Sequence, residues 1–211
     1  MKKFNFICLS ILYSICSFAQ QQSIPVPKPH QLKWHEAESD PDLLELWVAD
    51  MDFLPVPEIR EAVINYAQTH IFGYPYPSDE LYQAIIDWEK NQHGYVVDKE
   101  SIVLIEGVVP AISTAIQAFT KEGDAVLINT PVYPPFARSV RLNNRKLIEN
   151  SLVKVDGHFE IDFEQLERDI VDNDVKLYVF CSPHNPGGRV WTKEELTKVA
   201  DLCQKHGVLL V

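Results

Sequence analysis

Residues 176–192 read Lys176-Leu177-Tyr178-Val179-Phe180-Cys181-Ser182-Pro183-His184-Asn185-Pro186-Gly187-Gly188-Arg189-Val190-Trp191-Thr192. The stretch opens with a short apolar run, Lys176 to Phe180, that has the length and composition of a buried strand. It closes on Thr192, which with Glu195 three residues on makes a capping-box signature for a helix. Between them, Pro183 and Pro186 bracket His184 and Asn185 and restrict the backbone, and Gly187-Gly188 lets the chain reverse before the helix. An asparagine held in this way can donate a hydrogen bond to a ring oxygen at the strand end. A plain turn rarely needs the whole pattern. The helix that follows is expected to bury Leu196, Val199, Ala200 and Cys203 and to stop at Gly207, before a further apolar strand from Val208 to Val211.

The same alternation runs upstream. Asp162 caps a helix with Phe163, Leu166 and Ile170 inward, and Asp156-Gly157 between alternating residues signals a hairpin within Ser151 to Asp162. Before these come a strand from Lys146 to Ile148, a helix from Phe136 to Asn143, a strand from Ala125 to Ile128, a helix from Ala111 to Lys121 and a strand from Ile102 to Ile105. Strand and helix in alternation predict an α/β fold, a three-layer parallel sheet with helices on both faces. Such sheets bind ligands beyond the carboxyl ends of their strands. The loops of interest are therefore Glu106 to Pro110, Thr130 to Phe136, Ser182 to Arg189, and whatever follows Val211.

Towards the N-terminus the pattern changes. Two amphipathic helices are expected, one with Ile59, Ala62, Val63 and Tyr66 on a face, the other starting near Ser78, burying Leu81, Ile85 and Trp88, and ending at Gly94. Residues 23–57 are rich in proline and read as an extended arm. The first residues carry Lys2 and Lys3, an apolar run from Phe4 to about Ala19, and polar residues from Gln20, the tripartite shape of a secretory signal peptide; a buried N-terminal helix is the alternative. The expected organisation is a signal peptide over 1–19, an arm with helices over 20–95, and part of a large α/β domain over 96–211. Export to the periplasm follows from the leader; a cytoplasmic location is the alternative.

Composition narrows the class. The chain is 46% hydrophobic and 23% charged, the profile of a globular protein, and its formal net charge of -11 offers no basic surface to nucleic acid or to an anionic membrane. Once the leader is cleaved no membrane association is expected. Cys8 and Cys16 fall in that leader, leaving Cys181 and Cys203, which make no disulfide framework. There is no C-x-x-C and no H-E-x-x-H, so the pattern argues against zinc. Asp50 and Asp52 alone, without a third ligand, give a weak metal signal.

Two further loops carry candidate chemistry. Glu106-Gly107-Val108-Val109-Pro110 joins a strand to a helix, and free amides at such a helix start can hold a phosphate, although any strand-to-helix turn can hold a glycine. Thr130-Pro131-Val132-Tyr133-Pro134-Pro135-Phe136 presents two aromatics at a strand end. Tyr133 can stack on a flat heteroaromatic ring, or it can be a core tyrosine fixed by prolines.

Taken in order, Trp47-Val48-Ala49-Asp50-Met51-Asp52-Phe53, Ile71-Phe72-Gly73-Tyr74, Gly107-Val108-Val109-Pro110, Pro131-Val132-Tyr133 and Pro183-His184-Asn185-Pro186-Gly187-Gly188-Arg189-Val190-Trp191 resemble the segments of class I/II aminotransferase-like pyridoxal 5'-phosphate (PLP) enzymes of fold type I. The MalY/PatB-type cystathionine β-lyase branch is the nearest in pattern, over about Leu32 to Val211. The resemblance implies that the amides of Val108 and Val109 hold the cofactor phosphate, that Tyr133 stacks on the pyridine ring and that Asn185 hydrogen-bonds its phenolic oxygen. It also implies that Tyr74 reaches the phosphate of a neighbouring subunit's cofactor, making a homodimer part of the site. Asp50 to Phe53 would lie near the substrate entrance.

The reaction so implied is β-elimination from a small amino-acid thioether, giving pyruvate, ammonia and a thiol. An aminotransferase, or a non-catalytic cofactor-binding or interaction module, is the alternative. Enzymes of this kind also use a Schiff-base lysine, a carboxylate on the pyridine nitrogen and an arginine for the substrate carboxylate. None of the three matches a motif in this chain; the resemblance implies that the carboxylate follows directly after Val211 and that the lysine and arginine lie further on, and Lys193, Lys198 and Lys205 read as the solvated face of the last helix. The expectation is a fragment that is inactive alone.

Overall fold

The computed structural model describes residues 30–211 apart from 36–38, 41, 47 and 52. The expected leader over 1–19, and Trp47 and Asp52 of the Trp47–Phe53 string, lie outside the described residues. The backbone forms two compact units, one ending at Ser78 and the other running from Asp79 to Val211.

In the first unit a single 3-10 turn, Leu32–Trp34, precedes helix α1, Pro57–Thr69. Pro57 suits the first helical position, where its missing N–H would have no acceptor and its fixed φ is already helical. Lys33 Nζ donates to the Asp50 carbonyl at 2.8 Å. At the far end of α1, Tyr66 stacks on His70 with ring centroids 4.5 Å apart and meets Phe72 edge-on. No residue of α1 is buried.

The second unit contains helices α2 (Asp79–His93), α3 (Val108–Phe119), α4 (Pro135–Leu142), α5 (Phe163–Asp172) and α6 (Lys193–His206), with strands β1 (Ala125–Thr130), β2 (Lys146–Ser151), β3 (Val153–Val155), β4 (His158–Glu160), β5 (Val175–Val179) and β6 (Leu209–Leu210). Four strands make a parallel sheet in the order β2-β1-β5-β6. β1 lies inside it and is buried from Ala125 to Asn129, which is why Ala125-Val126-Leu127-Ile128 is apolar without alternation.

Each of four helices covers the sheet with a buried i,i+4 pair, the spacing that stacks side chains on one helical face. On one side, Ile112 and Ile116 of α3 and Phe136 and Val140 of α4 pack with Val126, Ile128, Leu177 and Val179. On the other, Leu166 and Ile170 of α5 and Val199 and Cys203 of α6 pack with Leu127, Ile148 and Tyr178. The three-layer α/β arrangement is thus present, with the core divided between the two faces.

Local signals fix the ends of these elements. Asp162 accepts from the Gln165 amide at 3.0 Å. In the capping box of α6 the Thr192 hydroxyl accepts from the Glu195 amide at 3.2 Å and the Glu195 carboxylate from the Thr192 amide at 2.7 Å. Gly207 ends α6 at φ 68. β3 and β4 form the hairpin, with Asp156 and Gly157 at φ 47 and 87, both in the region a two-residue primed turn requires.

A buried polar chain crosses the sheet on the α5/α6 side. The Tyr178 hydroxyl donates to Asn129 Oδ1, Asn129 Nδ2 to Asn150 Oδ1 at 2.9 Å, and Asn150 Nδ2 to Asp169 Oδ2 at 2.7 Å. Gln165 Nε2 donates to the other Asp169 oxygen at 2.7 Å. The chain satisfies groups that burial would otherwise leave unpaired and ties the carboxyl ends of β1 and β2 together. Burial pushes the Tyr178 phenol far above its ordinary pKa, so it remains a donor.

Three expectations are corrected. Ile102 to Ile105 is not a strand: it pairs with no strand among the described residues, and apolar composition alone supplies no ladder. Leu81 and Trp88 of α2 are exposed and Ile85 only half-buried. In α6, Leu196 and Ala200 are exposed while Val199 and Cys203 are buried. Residues three apart differ by about 60° around a helix, so a contact one i,i+4 ladder wide buries one pair and leaves the other out.

Candidate functional site

The site lies in the second unit, where the expected loops leave the carboxyl ends of β1 and β5 beside the start of α3. α3 begins after Gly107, whose φ of 118 a side chain would strain, and it has no side-chain N-cap. The amides of Val108 and Val109 belong to the first helical turn, where no preceding turn offers carbonyls. These unclaimed donors, with the positive end of the helix dipole, favour an anion.

The loop after β1 brings Tyr133 to the same place. Its backbone amide donates to the Asn185 carbonyl at 2.9 Å, so the β1 and β5 loops are joined by one main-chain bond. The Tyr133 ring remains partly exposed. Thr130-Pro131, Ser182-Pro183 and Asn185-Pro186 are cis.

The loop after β5 closes on itself. His184 N donates to Arg189 O at 2.8 Å and Gly188 N to His184 O at 2.9 Å. The Cys181 thiol donates to Pro183 O at 3.4 Å and accepts from the Asn185 amide at 3.3 Å, while Trp191 Nε1 donates to Cys181 O at 2.9 Å. Arg189 pairs with Glu195 of the α6 capping box and lies over the Trp191 ring, 4.9 Å from its centroid. The loop is therefore anchored to the first turn of α6.

Between these loops is a cleft of about 320 Å³ lined by Val108, Val109, Tyr133, Phe136, Phe180, Cys181, Ser182, Pro183 and Asn185. Its volume is at the small end of the range for ligand pockets. The lining is apolar and aromatic with a few donors, and among the described residues it contains no carboxylate to repel an anion and no lysine. Four residues singled out in the sequence, Val108, Val109, Tyr133 and Asn185, thus share one cleft. Tyr74 belongs to the first unit, in a non-helical segment, and is fully exposed.

Phe180 and Cys181 were missed as lining residues. They follow directly on the carboxyl end of β5, and the rule that parallel sheets present ligands at strand carboxyl ends would have found them. The burial of His184 was also missed, because a histidine between prolines gives no local sign of what covers it.

The family model for aminotransferase class I and II matches residues 41–211. Cystathionine beta-lyase PatB of Bacillus subtilis is 45% identical over 170 residues, 81% of this chain and 44% of that protein. Among solved structures, cystalysin of Treponema denticola, which contains a pyridoxal 5'-phosphate cofactor, is 38% identical with a TM-score of 0.82, over 90% of this chain and 50% of that one. A PLP-bound putative aminotransferase of Clostridium difficile is 40% identical with the same TM-score and coverage. The chain spans about half the length of the relatives it matches. With the family model covering most of its residues, and the sheet, helices and cleft arranged as described, the chain belongs to the aminotransferase class I and II family.

Proposed function

We propose that the chain supplies the phosphate- and ring-binding half of a PLP-dependent carbon-sulfur β-lyase acting on a small amino-acid thioether. The observation that carries this reading is the convergence of Val108, Val109, Tyr133 and Asn185 on one cleft free of carboxylates, in a chain 45% identical to a cystathionine beta-lyase. The donor set fits the cofactor: unclaimed helix amides suit its phosphate dianion, a partly exposed tyrosine ring suits its pyridine face, and an asparagine amide suits its ring oxygen. PLP, when bound, supplies an electron sink for charge left on the substrate α-carbon.

In this reading the residues of the chain bind and orient. Val108 and Val109 hold the phosphate, Asn185 sets the ring's rotation, and Tyr133 covers a ring face. Phe136 and Phe180 keep water from the ring. Tyr74 is assigned to the cofactor phosphate of a neighbouring subunit in a homodimer. The lysine that carries the cofactor covalently is assigned to sequence beyond these residues, since none among the described residues lines the cleft. An aminotransferase is the second reading, favoured by the PLP-bound putative aminotransferase at 40% identity. The basic and apolar start of the sequence supports export, which N-terminal sequencing of the mature protein checks.

The decisive assay supplies the full-length enzyme with cystathionine and PLP but no keto-acid acceptor. Release of pyruvate and thiol supports the lyase; turnover only with an acceptor transfers the assignment to an aminotransferase. Asn185→Ala is expected to weaken PLP binding by about 1.5–3 kcal/mol, the value of a hydrogen bond to a charged group.

A further inference from the structure

His184 stands one residue before Asn185, yet it does not line the cleft. The residue is 3% exposed, and neither Nδ1 nor Nε2 has a hydrogen-bond partner among the described residues. The Trp191 ring meets it edge-on with centroids 5.7 Å apart. Gly187 lies directly against it: a Cβ there would stand 2.6 Å from His184 Nδ1, 3.3 Å from its Cε1 and 3.1 Å from Phe159 Cδ2. The imidazole is thus buried against Trp191 and Gly187, with Phe159 of the hairpin beside the same glycine. Burial lowers its pKa, which keeps it uncharged at neutral pH.

These contacts matter because of what the same residue's neighbours do. The His184 backbone is bonded on both sides, to Arg189 and Gly188. The next residue, Asn185, lines the cleft, and its carbonyl accepts from the Tyr133 amide. A ring fixed on the hidden side of the loop fixes the residue on the open side.

We propose that His184 is a positioning residue, an aromatic wedge that sets the loop backbone so that Asn185 lines the cleft while its carbonyl holds Tyr133. The consequence for PLP rests on the function proposed above; the consequence for the loop does not. Two variants attack the wedge from opposite sides, His184→Ala by emptying its space and Gly187→Ala by placing a methyl group against the ring. His184→Phe keeps an aromatic wedge and removes both nitrogens.

Amide hydrogen exchange on the full chain reads the loop without cofactor. His184→Ala and Gly187→Ala are expected to accelerate exchange at Tyr133 and Gly188 by about tenfold while Leu127 and Val179 keep their protection, and His184→Phe is expected to stay near wild type. Unchanged exchange at Tyr133 in His184→Ala overturns the proposal. So does His184→Phe behaving like His184→Ala, which would make the nitrogens the essential feature. Equal acceleration in β1 and β5 also overturns it, by reducing His184 to an ordinary core residue. Titration with PLP on the same substitutions in the full-length enzyme is expected to show binding weakened several-fold by His184→Ala and restored by His184→Phe; wild-type-like binding in His184→Ala refutes the link to Asn185. A full-length wild-type enzyme that takes up no PLP refutes the cofactor reading, while exchange still judges the wedge.

Discussion

Helices α2 and α6 have similar lengths and both carry apolar residues at helical spacing, yet α6 buries Val199 and Cys203 and α2 buries nothing. The difference is in what lies opposite. α6 rests on a sheet face made by Leu127, Tyr178 and Ile148, whereas Trp88 and Leu81 of α2 are exposed. Amphipathic spacing states which face a helix offers for burial; it does not state what covers it. The same lesson applies to Ile102–Ile105, which has the composition of a strand and no partner strand among the described residues.

The largest effect that could break this comparison is expected at Leu127, fully buried between α5 and α6. Leu127→Ala should cost about 3 kcal/mol, from lost apolar transfer and the cavity left behind, measured by urea unfolding. A loss below about 1 kcal/mol would show that the sheet body is no better packed than α2. Next in size, Thr192→Ala removes one half of the α6 capping box and should cost about 1 kcal/mol. Trp88→Ala should change stability by no more than about 0.5 kcal/mol, as expected of an exposed side chain. A large loss there would mean that α2 is covered in solution, and the contrast with α6 would fail.

The smallest effect is a pH dependence confined to the sheet body. Burial holds the folded-state pKa of His184 below the ordinary imidazole value of about 6.5, so the unfolded chain binds more protons there. Its contribution is present above that value and is lost as pH falls through the lower folded-state pKa. Unfolding midpoints between pH 7.5 and pH 5 should therefore drop less in His184→Phe than in wild type. Equal drops would assign the dependence to other groups.

Much of the sheet body was legible in the sequence because several signals agreed there. Asp162, Thr192 and Gly207 mark helix ends, Asp156-Gly157 marks the hairpin, and the four apolar runs from Ala125, Lys146, Lys176 and Val208 all fall on strands of the sheet. The cleft was legible to the extent that loops after strands carry ligands, which placed Tyr133 and Asn185. What was not legible depended on long-range neighbours. Whether Leu196 or Val199 turns inward, whether Trp88 is covered, and what surrounds His184 are decided by residues remote in sequence.

The bond from the Tyr133 amide to the Asn185 carbonyl has a consequence for how such a cleft can change. The two loops are joined through the main chain of residue 185, and a main-chain carbonyl is retained whatever side chain accompanies it. Recognition at that position can drift while the junction persists. One residue thereby separates the part of the cleft open to new ligands from the part that must be inherited unchanged.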